Sequence, residues 1–179
     1  MKRKLFVSIV AGVLALGVIG VATAALVKGT AGNDTLTGTN GPDRIAALDG
    51  NDTVTALGGP DLVRGGKGND SLDGGDGPDW LIGGADNDSL VGGNGPDLLF
   101  AGPGNDTLDG GDRRDRLYLG KGADTANGGA GNDRIHAAAD DDAVDTIDCG
   151  PGDHDVVVVS AAESDIVSNC EKVKTRPAG

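Results

Sequence analysis

"GGKGNDSLDGGDGPDWLI", residues 65–82, holds two aspartates nine positions apart, Asp70 and Asp79, each two residues before a leucine. Their neighbours do not share that period. Asn69 and Ser71 flank the first, Pro78 and Trp80 the second. A chain that keeps Asp at nine while alternating its neighbours at eighteen is built of paired half-units, two halves to a full turn. Three residues per half, such as Ser71-Leu72-Asp73, form a short strand whose middle side chain points opposite to its neighbours. The other six, rich in Gly, form a turn. Stacked turns then place residues 18 apart beside one another, about 4.8 Å apart.

The pattern extends without a gap from Gly29 to Asp145 as thirteen nonapeptides, from "GTAGNDTLT" through "GGDRRDRLY" to "AAADDDAVD". Slot six is Asp in all thirteen, slot eight is aliphatic in all but Ala126, and slot four is Gly in ten. Gly at slots one, two and four lets the backbone adopt positive φ and turn its carbonyls inward. With 33 Gly and 26 Asp in 179 residues, helix is disfavoured. The fold expected is an all-β, right-handed parallel β-roll, a β-solenoid with two short strands per 18-residue coil and six and a half coils. The "NDT/NDS" units build one sheet and the "PD" units the other.

Stacking aligns Asp34, Asp52, Asp70, Asp88, Asp106, Asp124 and Asp142 in one column, and Asp43, Asp61, Asp79, Asp97, Asp115 and Asp133 in a second. Carboxylates about 5 Å apart in a poorly solvated column repel by several kcal/mol, so a cation is expected between them. Oxygen-only ligands in a flexible loop select Ca²⁺, whereas Mg²⁺ demands tighter octahedral geometry and keeps its waters. One aliphatic per nine residues makes a thin core. Ion binding and folding are therefore expected to be a single event.

These units resemble the RTX, or hemolysin-type, calcium-binding nonapeptide repeat, G-G-x-G-x-D-aliphatic, over residues 29–145. The resemblance implies that slot-six carboxylates and carbonyls of slots one to four hold Ca²⁺ between loops 18 residues apart. Carried over, the carbonyl ligands are those of Gly66, Gly68, Gly75, Gly77, Gly83, Gly84, Gly93, Gly95, Gly102 and Gly104. Thirteen loops in two columns give at most about eleven shared sites. Arg113 and Arg114 in slots four and five break the pattern, and are expected to pair with Asp112 or Asp115. Asp86 and Asp140 replace Gly at slot four, and "AAADDDAVD" lacks the leading glycines. The segment "DTIDCGPGDHDVVVVSAAESDIVSNCEKV" resembles the C-terminal close of stand-alone secreted calcium-binding proteins of high-GC Gram-positive bacteria. In it His154 stands in the Asp slot, and residues 146–179 are expected to form a cap and tail.

The first 24 residues read as a signal peptide: basic "MKRK", an apolar stretch from Leu5 to Val21, and small Ala22 and Ala24 for cleavage. The competing reading is an uncleaved anchor. Residues 25–28 form a short leader. Cleavage removes Lys2, Arg3 and Lys4 and takes the formal charge from −13 to −16. Such a chain repels nucleic acid and anionic lipid and attracts cations, and no stable membrane insertion is expected after cleavage. Two cysteines, Cys149 and Cys170, read as a disulfide in a secreted chain. The alternative is two free thiols, whose spacing fits no zinc pattern.

Outward positions of the "PD" strands gather Leu62, Trp80, Ile82, Leu98, Phe100 and Tyr118, a contact face for an extracellular protein or glycan. Ordinary β-propensity is the plainer reading. The N-D-T and N-D-S triplets match glycosylation acceptors only because the repeat generates them. The Thr/Ser row on the other sheet suggests an ice-binding array, but its slot-nine partners are irregular. No nucleophile accompanies His136 or His154, so no enzyme is expected. The function expected is secreted calcium binding that drives folding. An adhesion or assembly module and an accessory fragment of a secreted enzyme are the alternatives.

Overall fold

The computed structural model describes residues 24–137, 143–161 and 164–177, in which every regular element is a strand. One nine-stranded sheet contains β1 (Leu26–Lys28), β3 (Arg44–Asp49), β5 (Leu62–Lys67), β7 (Trp80–Ala85), β9 (Leu98–Pro103), β11 (Arg116–Lys121), β13 (Arg134–Ala137), β15 (Val156–Ser160) and β17 (Lys172–Arg176). An eight-stranded sheet contains β2 (Thr35–Thr37), β4 (Thr53–Thr55), β6 (Ser71–Asp76), β8 (Ser89–Asn94), β10 (Thr107–Asp112), β12 (Thr125–Asn127), β14 (Thr146–Asp148) and β16 (Ile166–Ser168). Odd strands fill one sheet and even strands the other, so the chain changes sheet at every turn. All pairs are parallel. The result is a β-solenoid of about eight turns.

The eighteen-residue register holds from Leu26↔Arg44 through Arg116↔Arg134. Slot eight faces inward as expected: Leu72, Leu81, Leu90, Leu99, Leu108 and Leu117 are all buried. Slot one also faces inward, because the strands run on past slot nine and the alternation continues. Ala47, Ala56, Ala101, Leu119 and Ala137 occupy it and belong to the same core. Slot one was expected to need positive φ, and it does not. Within the nonapeptides positive φ is confined to slots two and four, for instance Gly75 (93°) and Gly77 (126°). The glycine at slot one is there for lack of a side chain, not for its backbone freedom.

Two boundaries differ from the expectation. The leader residues supply β1, which pairs with β3. Beyond β13 the offsets become irregular: Thr125 pairs with Thr146, and Arg134 with Val156. The thirteenth unit therefore holds extra residues, and the segment set apart as a cap continues both sheets through β14, β15, β16 and β17. This is why the solenoid has more turns than six and a half. Cys149 and Cys170 form a disulfide with a Cα–Cα separation of 5.2 Å, tying the start of the last turn to its end.

Candidate metal centre

Each slot-six aspartate from Asp52 to Asp133 stands at the mouth of a turn, and its two carboxylate oxygens have different fates. Oδ1 accepts the backbone N–H of the aspartate one coil earlier. Asp52 N–H donates to Asp70 Oδ1 at 2.9 Å, Asp61 N–H to Asp79 Oδ1 at 2.8 Å and Asp79 N–H to Asp97 Oδ1 at 2.8 Å. Both columns are thus continuous hydrogen-bonded ladders. Sequence reasoning missed this role. Its trace is the strict use of Asp, whose short side chain keeps the oxygen level with the next coil's backbone.

Oδ2 is the chemically informative atom. In Asp52, Asp61, Asp70, Asp79, Asp88, Asp97, Asp106, Asp115, Asp133 and Asp155 it is buried and receives no hydrogen bond. A buried carboxylate oxygen without a donor costs several kcal/mol if the group is ionised. Burial accordingly pushes these groups up: Asp61, Asp70, Asp97 and Asp133 to about 6, Asp79 and Asp88 to about 7, and Asp115 to about 8. The amide donor on Oδ1 pulls the other way. At Asp79, Asp88 and Asp115 neighbouring carboxylates of the same column push further up. Such a group wants a proton or a metal cation.

Where slot one is glycine, it keeps the space beside Oδ2 open. A Cβ added to Gly74 would lie 2.6 Å from Asp79 Oδ2 and 2.7 Å from the carbonyl oxygen of Gly92, one coil on. Gly65 and Gly83 show the same cradle, formed with Asp70 and Gly83 O and with Asp88 and Ala101 O respectively. Among the described residues no group of three or more His, Cys, Asp or Glu side chains converges on one point. A cation here must draw on one carboxylate per coil together with backbone carbonyls. That donor set is all oxygen, fitting a hard ion of flexible coordination.

The N-terminal coil is built differently. Thr30 and Thr39 stand at slot two, where later units carry Gly, Leu or, in the last, Ala138. Thr30 donates its N–H to Asp34 Oδ2 at 2.5 Å and its hydroxyl to the same atom at 3.0 Å. Thr39 N–H donates to Asp43 Oδ2 at 2.5 Å. Asp34 and Asp43, included in the columns on sequence, therefore already have donors from the protein.

At the other end, Asp142 lies outside the described residues. The carboxylate accepting Asp124 N–H is Asp145, at 2.9 Å. In the second column Asp155, not His154, accepts Asp133 N–H at 2.7 Å, and His154 is exposed. Asp155 N–H in turn meets Glu171 Oε2 at 2.6 Å. "DTID" and "DVVV" each carry Asp one residue before a strand with an inward aliphatic at its centre, a signal that strict nine-residue counting passes over. Arg113 and Arg114 do not neutralise Asp115. Among the described residues the ion pair formed is Lys67–Asp49 at 3.2 Å, exposed on both sides.

The alternation of Asn and Pro at slot five also has a structural reason. Asn33 Oδ1 accepts Asn51 N–H at 2.8 Å, Asn51 Oδ1 accepts Asn69 N–H at 2.9 Å, and the row continues through Asn87 and Asn105 to Ala123. In the other column Pro42, Pro60, Pro78 and Pro96 have no N–H to satisfy. Leu62, Trp80, Ile82, Leu98, Phe100 and Tyr118 lie on the outer surface of the nine-stranded sheet. Leu62 pairs with Trp80, Trp80 with Leu98, and Ile82 with Phe100. Phe100 stacks on Tyr118 at 4.7 Å between centroids, and Tyr118 on His136 at 4.6 Å.

The family model of the RTX calcium-binding nonapeptide repeat (4 copies) matches residues 28–63, 47–81, 55–90, 64–99, 82–117 and 109–144. No curated protein matches the chain. With its thirteen-unit period, its two-sheet solenoid and its columns of donor-poor buried carboxylates, the chain belongs to the RTX calcium-binding nonapeptide repeat family.

Proposed function

We propose that this is a secreted, non-catalytic module whose folding is driven by Ca²⁺ bound between stacked turns. The observation that carries the reading is the pair of columns of buried Oδ2 atoms without a donor, which at Asp70, Asp79, Asp88, Asp97, Asp115 and Asp133 stand beside a glycine at slot one and a backbone carbonyl. The ligands proposed are the slot-six aspartates from Asp52 to Asp133 and the loop carbonyls of slots one to four, including those of Gly66, Gly68, Gly75 and Gly77. When bound, calcium neutralises the columns. The protein's own part is to present one carboxylate oxygen per coil, hold the other on the preceding amide, and keep water away from both. The signal-like first 24 residues and the disulfide support an extracellular setting, for which an affinity of about 10⁻⁴–10⁻³ M is typical.

The test is far-UV circular dichroism and isothermal titration calorimetry on purified protein lacking residues 1–24. A coil-like spectrum in chelator that converts to β on adding calcium, with several ions bound per chain, supports the reading. An unchanged β spectrum and melting curve in excess chelator overturns it.

A further inference from the structure

The outward positions of the two sheets divide the charge of the chain unevenly. On the nine-stranded sheet, slots seven and nine carry no acid among the described residues. They carry Arg44 and Arg64 towards one end and Arg116, Arg134, Lys172 and Lys174 towards the other. The eight-stranded sheet has no Lys or Arg in the same slots and presents Thr, Ser and Asp73, Asp109 and Asp148. A chain of formal charge −13 thus keeps slots seven and nine of one flat face free of acids, with every charge there basic. Between the two basic groups lies the apolar row, with Trp80 56% exposed. The field of the face is visible at His136, whose ring burial, then Arg134, Lys174 and Arg116, hold its pKa below the usual value.

We propose that this face binds a linear acidic polysaccharide. Rungs repeat at about 4.8 Å, so Arg44 and Arg116, four rungs apart, stand about 19 Å from one another. An extended polymer lying across the rungs meets cations at both ends and apolar and aromatic side chains at the centre. Those central side chains suit the C–H surfaces of sugar rings, and the cations suit their acid groups. Self-association through the face is opposed by its own layout. A two-fold contact centred on Trp80 and Leu98 sets the Arg44–Arg64 group against the Arg116–Arg134 group of the second copy. Duplex nucleic acid carries one charge per about 1.7 Å of axis and, at that density, is repelled by the acidic loops on either side. A sugar acid spreads its charge more thinly.

The inference rests on the calcium-loaded fold, and the experiment separates the two. Calcium-loaded protein, its β content checked by circular dichroism, is titrated with chondroitin sulfate, neutral dextran, anionic phospholipid vesicles and duplex DNA. Binding to chondroitin sulfate alone, weakened at least tenfold in R116T/R134T and in W80T but unchanged in the loop-edge variant K67T/K121T, supports the proposal. Thr keeps the β-propensity at these exposed sites, and the spectrum of each variant in calcium shows that it is folded. Folded protein that ignores chondroitin sulfate, that prefers vesicles or DNA, or that loses binding equally in K67T/K121T overturns the proposal. A calcium-independent spectrum overturns the preceding reading instead.

Discussion

At the scale of a residue, the two oxygens of one aspartate do separate jobs, and substitution can part them. Asn in place of Asp79 keeps an oxygen to accept Asp61 N–H but removes the charge and the cation-seeking Oδ2. Asp79→Asn is therefore expected to raise the calcium concentration at the folding midpoint several-fold, while Asp79→Ala also breaks the ladder and costs about 1–3 kcal/mol more. Calcium titrations of the two variants by circular dichroism check this; equal midpoints would show that the ladder bond contributes nothing. Protons should compete at the same atoms. In the metal-free fold the carboxyls titrate up to about 7 at Asp79 and about 8 at Asp115, above their unfolded value near 4. A raised acid favours the fold when protonated, so metal-free stability is full below pH 4 and falls as pH rises towards 8. In chelator, β content is expected to be higher at pH 4 than at pH 7.5, and calcium affinity to move the opposite way. Identical metal-free spectra at the two pH values would contradict it. Backbone strain can be relieved locally as well. Leu57 holds φ at 79° where the stacked residue one coil on, Gly75, holds 93°. Leu57→Gly is expected to raise the melting temperature in calcium by a degree or more, equivalent to about 1 kcal/mol.

At the scale of an element, one turn of this solenoid does not need what the others need. The loops of the first coil satisfy Asp34 and Asp43 with Thr30 and Thr39, so this coil is expected to hold together with least help from calcium. Asp43→Asn should move the calcium midpoint less than Asp79→Asn, whereas Thr39→Val, which removes the hydroxyl that donates to Asp43 Oδ1 and accepts Gly41 N–H, should speed hydrogen exchange in β2 and β3. Equal midpoint shifts for the two Asp→Asn variants would remove the distinction. The same coil shows what could be read beforehand. Period nine, the two aspartate columns, the inward slot eight and the outward Trp80 row follow from residue types and alternation alone, because each is a local rule repeated. Fine division of labour at a carboxylate is not local. That Thr30 reaches Asp34, or that slot one leaves room beside the next coil's carbonyl, depends on neighbours 18 residues away. The strands beyond the last nonapeptide follow a looser rule for a related reason. Counting by nines admits no insertion, while hydrogen bonding needs only an acid in place, and Asp145 and Asp155 supply it.

For the whole molecule, stability is close to a sum over rungs and their interfaces, as in other stacked-coil proteins. The regular rungs gain most, since each buries a slot-eight side chain and two neighbouring interfaces. The C-terminal rungs gain least: β17 is exposed along its whole length, and β16 buries none of its residues fully. Their offsets also depart from 18, so the aspartate columns end there on Glu171 and Asp165 rather than on a further repeat. The Cys149–Cys170 disulfide closes this section, and for a loop of about 22 residues the chain-entropy model assigns it about 3 kcal/mol. Because contacts reach only to adjacent rungs, that stabilisation stays local. Reduction in saturating calcium is expected to speed hydrogen exchange in β14, β15, β16 and β17 by about a hundredfold, the equivalent of about 3 kcal/mol, while protection of β5 through β11 stays the same. Uniform loss of protection along all seventeen strands would show instead that the solenoid melts as one cooperative unit, with its end as the weakest link holding the rest.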